Sequence, residues 1–233
     1  MIPFLNRQNH VASMNSSLHN PAPVQCDEKT DLLPFLNHCV KEAKRTNTTV
    51  YSSITFETSY CDPLAILEQI HRVDQSICYL EKPNDEFSVA CGDPVTKVSF
   101  NGTDRFQEAK TWSKQFLKRI YLAGDNQVEG TGPTFFLNAT FENNSSEPNL
   151  PALQIFLPHW QVLRKGGSHF IVINSQITPS SDPNLLIEKV SQSLQNFNKL
   201  HDRGPIKQTF KKVKLSSPIE NSDYEDSVRQ ALQ

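Results

Sequence analysis

The sequence predicts an α+β protein, on two observations. Apolar runs come in pairs joined by turn residues, the mark of antiparallel hairpins. Between them, apolar side chains recur at three-and-four spacing, the mark of helices that pack one face on a sheet. With 233 residues the chain is long enough to bury a real core, though length alone does not separate one large domain from two small ones.

Residues Met1 to Asp27 are polar and aperiodic, with Pro21 and Pro23 near their end, and read as a flexible leader (1–27) before a domain over 28–233. From Leu32, the positions Leu36, Cys39, Val40 and Ala43 set an amphipathic helix, with Thr30 or Asp31 as its N-cap. Val50 to Phe56 is β-branched and aromatic, a strand. Asp62-Pro63 supplies a cap followed by proline at the first helical position, opening a short helix with Ile66, Leu67 and Ile70 on one side.

Ser76 to Leu80 and Phe87 to Cys91 predict a hairpin about Pro83, Asn84 and Asp85. Asp104-x-x-Gln107 resembles a capping box, and Phe106, Ala109, Trp112, Phe116, Leu117 and Ile120 extend a helix over about four turns. Pro133 to Phe141 reads as a strand and Asn143 to Pro151 as a polar loop. Two long strands follow, Ala152 to Leu163 and His169 to Ile177. Gly166 and Gly167 lie between them and accept the positive φ a tight turn demands. Ser181-Asp182-Pro183 caps a helix carrying Leu186, Val190, Leu194 and Phe197, which Gly204-Pro205 stops. Lys207 to Lys214 alternates with Phe210 and Val213 as one solvated strand face. Ser222-x-x-Glu225 then opens a last helical stripe through Tyr224, Val228 and Leu232, and a helix so begun is expected to continue in a longer protein.

A hydrophobic fraction of 37% and a mean hydropathy of −0.48 fit either much polar loop or a surface meant for covering. A net charge of −2 gives no electrostatic footprint for phosphate backbones, so nucleic acid is excluded as a main partner. Five cysteines, Cys26, Cys39, Cys61, Cys78 and Cys91, are widely spaced with no C-x-x-C pair. They argue against a disulfide framework or a zinc site and fit a reducing compartment. Neither an apolar signal region nor a membrane-length run occurs, so a cytoplasmic protein without a membrane partner is expected. The Asn-x-Ser/Thr matches, such as those at Asn47 and Asn138, carry no weight in that setting.

No metal-binding histidine spacing, nucleophile elbow, P-loop or dinucleotide fingerprint occurs. Gly130-Thr131-Gly132 precedes Pro133 and a strand rather than a helix, and reads as a turn, not a phosphate loop. Asp93, Glu142 and Glu147 are the candidates for paired carboxylates, with solvated loop acids the plainer reading. His159 beside Trp160 either faces a ligand or is a hydrogen-bonded core histidine, and the second is preferred. On residues alone, no reaction is revealed.

Several strings in order nevertheless resemble the N-terminal half of chorismate-utilising enzymes, specifically isochorismate synthase. They are Phe56-Glu57, Asp62-Pro63-Leu64-Ala65, Cys78-Tyr79-Leu80-Glu81, Val89-Ala90-Cys91-Gly92, the helix from Phe106 to Ile120 and Gly132-Pro133-Thr134-Phe135-Phe136. Most specific is Leu157-Pro158-His159-Trp160, followed by Gly166 and Val172-Ile173-Asn174. A Leu-Pro-Arg-like strand is commoner in the family, so His159 departs from it. The Leu-Leu-Glu-Ser feedback segment of anthranilate synthases has no match here.

The resemblance, over roughly Val50 to Gln233, implies antiparallel sheets layered with outer helices, an incomplete half of that fold. It also implies Mg²⁺-dependent conversion of chorismate to isochorismate, for a menaquinone, phylloquinone, salicylate or siderophore route. The motifs carrying the family's lysine base, glutamate acid and Mg²⁺-holding glutamates follow the helix that begins here at Ser222, and are expected beyond Gln233. The resemblance therefore assigns no catalytic, cofactor-binding or metal residue here, and implies a chain inactive alone, whose partner is a missing C-terminal half. The alternatives are a non-catalytic binding or assembly module derived from the family and a sibling such as aminodeoxychorismate synthase.

Overall fold

A computed structural model describes residues 32–70, 76–144 and 151–201. The leader, Glu147, the Lys207 to Lys214 stretch and the Ser222 capping box lie outside the described residues. Elements follow in the order α1 (Leu32–Thr46), β1 (Val50–Thr58), α2 (Pro63–Ile70), β2 (Ile77–Lys82), a 3-10 turn (Pro83–Asp85), β3 (Phe87–Phe100), α3 (Arg105–Leu117), β4 (Ile120–Ala123), β5 (Phe136–Ala139), β6 (Leu153–Lys165), β7 (Ser168–Ile177) and α4 (Pro183–His201).

The α+β class holds. Among the described residues the strands form one seven-stranded sheet in the order β2-β3-β6-β7-β1-β4, with β5 pairing part of β6. All pairings are antiparallel except that of β1 with β4. Alternation then decides what covers each face. Val50 and Ile54 of β1, Trp160 and Val162 of β6, and Ile171 and Ile173 of β7 form one core with α1, α2 and α4. Helix α1 contributes Leu32, Phe35, Leu36, Cys39, Val40 and Ala43, and α4 contributes Leu186, Val190 and Phe197. Residues of the opposite parity, Val89, Cys91, Leu163, Phe170 and Val172, form a second core on the other face.

The caps expected at proline-led helices are present. Asp62 Oδ1 accepts from the Leu64 amide at 3.0 Å, and Asp182 Oδ1 from the Asn184 amide at 2.9 Å, each satisfying a donor the first helical turn cannot use internally. The β6–β7 hairpin turns at Gly166, whose φ is +57°, with Lys165 opposite Ser168.

Four expectations need correction. The helix from Phe106 stops at Leu117, and Ile120 instead opens β4, parallel to β1 with Tyr51 opposite Ile120. Its apolar spacing ran on because Ile120 is buried as a strand residue. Asp104 occupies the N-cap without a side-chain hydrogen bond, so the capping box is not formed. Strand β3 continues past Cys91 to Phe100, because a register shift between Pro94 and Thr96 lets the ladder with β6 resume beyond the proline. The strand expected over Pro133 to Phe141 shortens to Phe136–Ala139.

Candidate functional site

Strand β6 carries the most specific local string, and Pro158 organises it. Proline has no amide to donate, so a central strand that contains one must rearrange its partners. Before Pro158, β6 pairs with β5 (Phe156 opposite Phe136); after it, β6 pairs with β7 (Trp160 opposite Ile173). On β3, Pro94 stands opposite Pro158 at the register shift.

Side chains bridge the gap left in the ladder. Asn174 Nδ2 donates to the Pro158 carbonyl at 2.7 Å. His159 Nδ1 lies 2.8 Å from the Asn174 carbonyl, which can only accept, so Nδ1 carries the proton. His159 is thus the hydrogen-bonded, half-buried histidine that was preferred. Its neighbour Trp160 points to the helical side, where Nε1 donates to Asp93 Oδ2 at 3.1 Å and the ring meets Phe197. Gly92 is required beneath that ring, since a Cβ there would stand 2.7 Å from Trp160 Cζ2.

The sheet face opposite α1, α2 and α4 holds an unexpected polar patch. Gln161 stands opposite Val172, which stands opposite Thr55; one row along, Asn174 stands opposite Ser53. Ser53, Gln161 and Asn174 are fully buried and Thr55 nearly so. The segment from Gly124 to Phe135 lies over them. Gly132 donates its amide to Thr55 Oγ1 at 3.1 Å and accepts from Gln161 Nε2 at 3.0 Å. Thr55 Oγ1 donates to Asn126 Oδ1 at 2.9 Å. Gly130-Thr131-Gly132 is therefore the turn expected, with the Thr131 amide donating to Val128, and its task is to cover the patch.

Three polar atoms of the patch have no partner among the described residues: Ser53 Oγ, Gln161 Oε1 and Asn174 Oδ1. A buried unsatisfied group costs about 1–3 kcal/mol, so three on neighbouring positions are a large concession unless a ligand or water meets them. What they offer is neutral hydrogen bonding, chiefly acceptance from hydroxyl or N–H groups. They offer no charge.

Two of the candidate carboxylates, Asp93 and Glu142, are among the described residues and have separate surroundings. Asp93 is engaged by Trp160, and Glu142 is exposed on its loop. Among the described residues, no three of His, Cys, Asp and Glu are grouped to hold a metal. The donors of the patch are amides and hydroxyls without a carboxylate, a poor match to Mg²⁺, which is bound through carboxylates; the described residues therefore do not fit that ion. No helix among them is long and apolar enough to cross a membrane.

Sequence reasoning named His159 and missed Ser53, Thr55, Gln161 and Asn174. Polar residues alternating with apolar ones usually mark a solvated strand face, and only the register shows that these are covered.

Comparison with known proteins adds one finding. A family model described as chorismate binding enzyme matches residues 36–233. No curated protein matches the chain.

Proposed function

The chain belongs to the chorismate-binding enzyme family, and on that premise we propose that its reaction is the Mg²⁺-dependent conversion of chorismate to isochorismate. The proposal gives the described residues a limited part: they build a scaffold and one neutral, hydrogen-bonding wall, while the acid, the base and the metal ligands come from other residues. One observation carries this division. The three unpartnered atoms of Ser53, Gln161 and Asn174, buried under the Gly124 to Phe135 segment, would accept hydrogen bonds, without charge, from the hydroxyl of a substrate that displaces part of that cover.

Acceptors aimed at a hydroxyl discriminate against compounds lacking it, because buried polar atoms are then left unpaired. The wall thus suits a hydroxyl-bearing ring better than the carboxylates of chorismate, which need cationic or metal partners.

The test is product analysis with protein purified from its own cells, given chorismate and Mg²⁺, with and without ammonia. Isochorismate independent of ammonia is expected. An ammonia-dependent aminated product would replace the proposal with the aminodeoxychorismate synthase alternative, and chorismate left intact even when the expected C-terminal half is supplied would favour the non-catalytic module.

A further inference from the structure

Cys78 and Cys91 stand directly opposite each other on β2 and β3. Opposed residues of an antiparallel pair hold their Cα atoms about 4.5–5.5 Å apart, inside the span of about 4.4–6.8 Å that a disulfide bridges. The register alone therefore brings the two sulfurs within bonding reach, with no strand having to move. Both are free thiols in the structure.

Their surroundings differ in a way that assigns roles. Strand β2 is the edge of the sheet, and Cys78 is half-buried there, while Cys91 on the next strand is fully buried. A hydrogen bond from the Cys91 thiol to the Cys78 sulfur holds Cys78 below the ordinary thiol range. Burial, reinforced by Cys78, pushes Cys91 up. Cys39 and Cys61 are buried and pushed by that burial up to about 12. The reachable, thiolate-prone sulfur is thus Cys78, with Cys91 poised behind it to resolve a mixed disulfide.

We propose that Cys78 and Cys91 form a reversible cross-strand disulfide by exchange with low-molecular-weight disulfides such as glutathione disulfide. The Cys78 thiolate attacks one glutathione sulfur, forming a mixed disulfide and releasing one glutathione, which takes up the proton Cys78 lost. Cys91 then gives up its proton and displaces the second glutathione, which leaves protonated. Two protein thiols are oxidised to one disulfide, and one glutathione disulfide is reduced to two glutathiones. The bridge fastens the edge strand to β3 directly beside Gln161, which stands opposite Cys91. In a reducing compartment the pair rests as thiols.

The experiment treats the full chain with glutathione disulfide and maps the products by mass spectrometry. The expected product has lost the mass of two hydrogens, yields a peptide linking Cys78 to Cys91, and returns to the starting mass with dithiothreitol. Unchanged mass, a bridge between other cysteines, or a glutathione adduct on Cys78 without internal closure would each overturn the proposal. Cys91→Ser is expected to stop at the glutathione adduct on Cys78, and an unmodified Cys78 in that variant would overturn its role as the attacking thiol. Should that variant not fold, the map of the unsubstituted chain decides.

Discussion

The side-chain amide of Asn174 donates to the carbonyl of Pro158 at 2.7 Å, taking over where the β6–β7 ladder stops at Trp160 and Ile173. Replacing Asn174 with Leu leaves that buried carbonyl without its donor but also removes the unpartnered Oδ1, so the net cost should be about 1 kcal/mol. Asn174→Asp should cost more, since it sets a carboxylate against a carbonyl in a buried position. Urea unfolding midpoints of both variants check the order, and equal stability of all three proteins would contradict it.

Gln161 separates support from recognition. Its Nε2 holds Gly132, but its Oε1 has no partner among the described residues, so Gln161→Leu loses one hydrogen bond and also relieves one unsatisfied atom. The net stability change should stay within about 1 kcal/mol. Chorismate affinity, read by calorimetry, should fall about 5–10-fold, equivalent to about 1–1.4 kcal/mol. A large loss of stability with unchanged affinity would make Gln161 a packing residue only.

Gly124 has φ +81°, and a Cβ there would stand 1.9 Å from the Thr55 carbonyl oxygen. Gly124→Ala should therefore destabilise the protein by about 3 kcal/mol, from backbone strain and displacement of β1. Thermal unfolding measures it; a variant as stable as the parent would show that the Gly124 to Phe135 segment is not held against β1.

Glu129 and Lys165 form an ion pair at 2.9 Å. A hydrogen bond from Lys165 holds the Glu129 carboxyl below the usual range, and the same bond raises Lys165. For Glu129, the stabilisation is complete above the unfolded carboxylate value of 4.5 and is lost as pH falls through the lower folded value. For Lys165 it is complete below 10.5 and is lost as pH rises through the higher folded value. Because Glu129 is about half exposed, the pair contributes only about 0.2–1 kcal/mol. Glu129→Gln should thus destabilise slightly between those limits and not once the pH has fallen below the lowered folded-state range of Glu129. Unfolding midpoints across pH check this, and a deficit that persists in acid would contradict the assignment.

Much of the fold was legible because local chemistry and tertiary structure agree. The stripe from Leu32 to Ala43, the Asp62 and Asp182 caps and the Gly166 turn each state a local rule, and each appears where that rule puts it. Errors arose where non-local pairing overrode a local signal. Ile120 kept helical phase but is claimed by Tyr51 across a parallel ladder, and the strand expected to end at Cys91 runs on through a bulge at Pro94. The patch was illegible for a related reason: Ser53, Thr55, Gln161 and Asn174 come from three strands, and only their register and the cover of Gly132 make them neighbours. The Cys78–Cys91 pair was hidden likewise, since thirteen positions apart in sequence they meet only when β2 and β3 pair.

The central claim, that the covered polar face meets chorismate, is tested most directly by amide hydrogen exchange of the full chain with and without chorismate. Slower exchange is predicted around Ser53 to Thr55, Gly130 to Gly132, His159 to Gln161 and Asn174. Protection confined to other segments, or none at all, would contradict it.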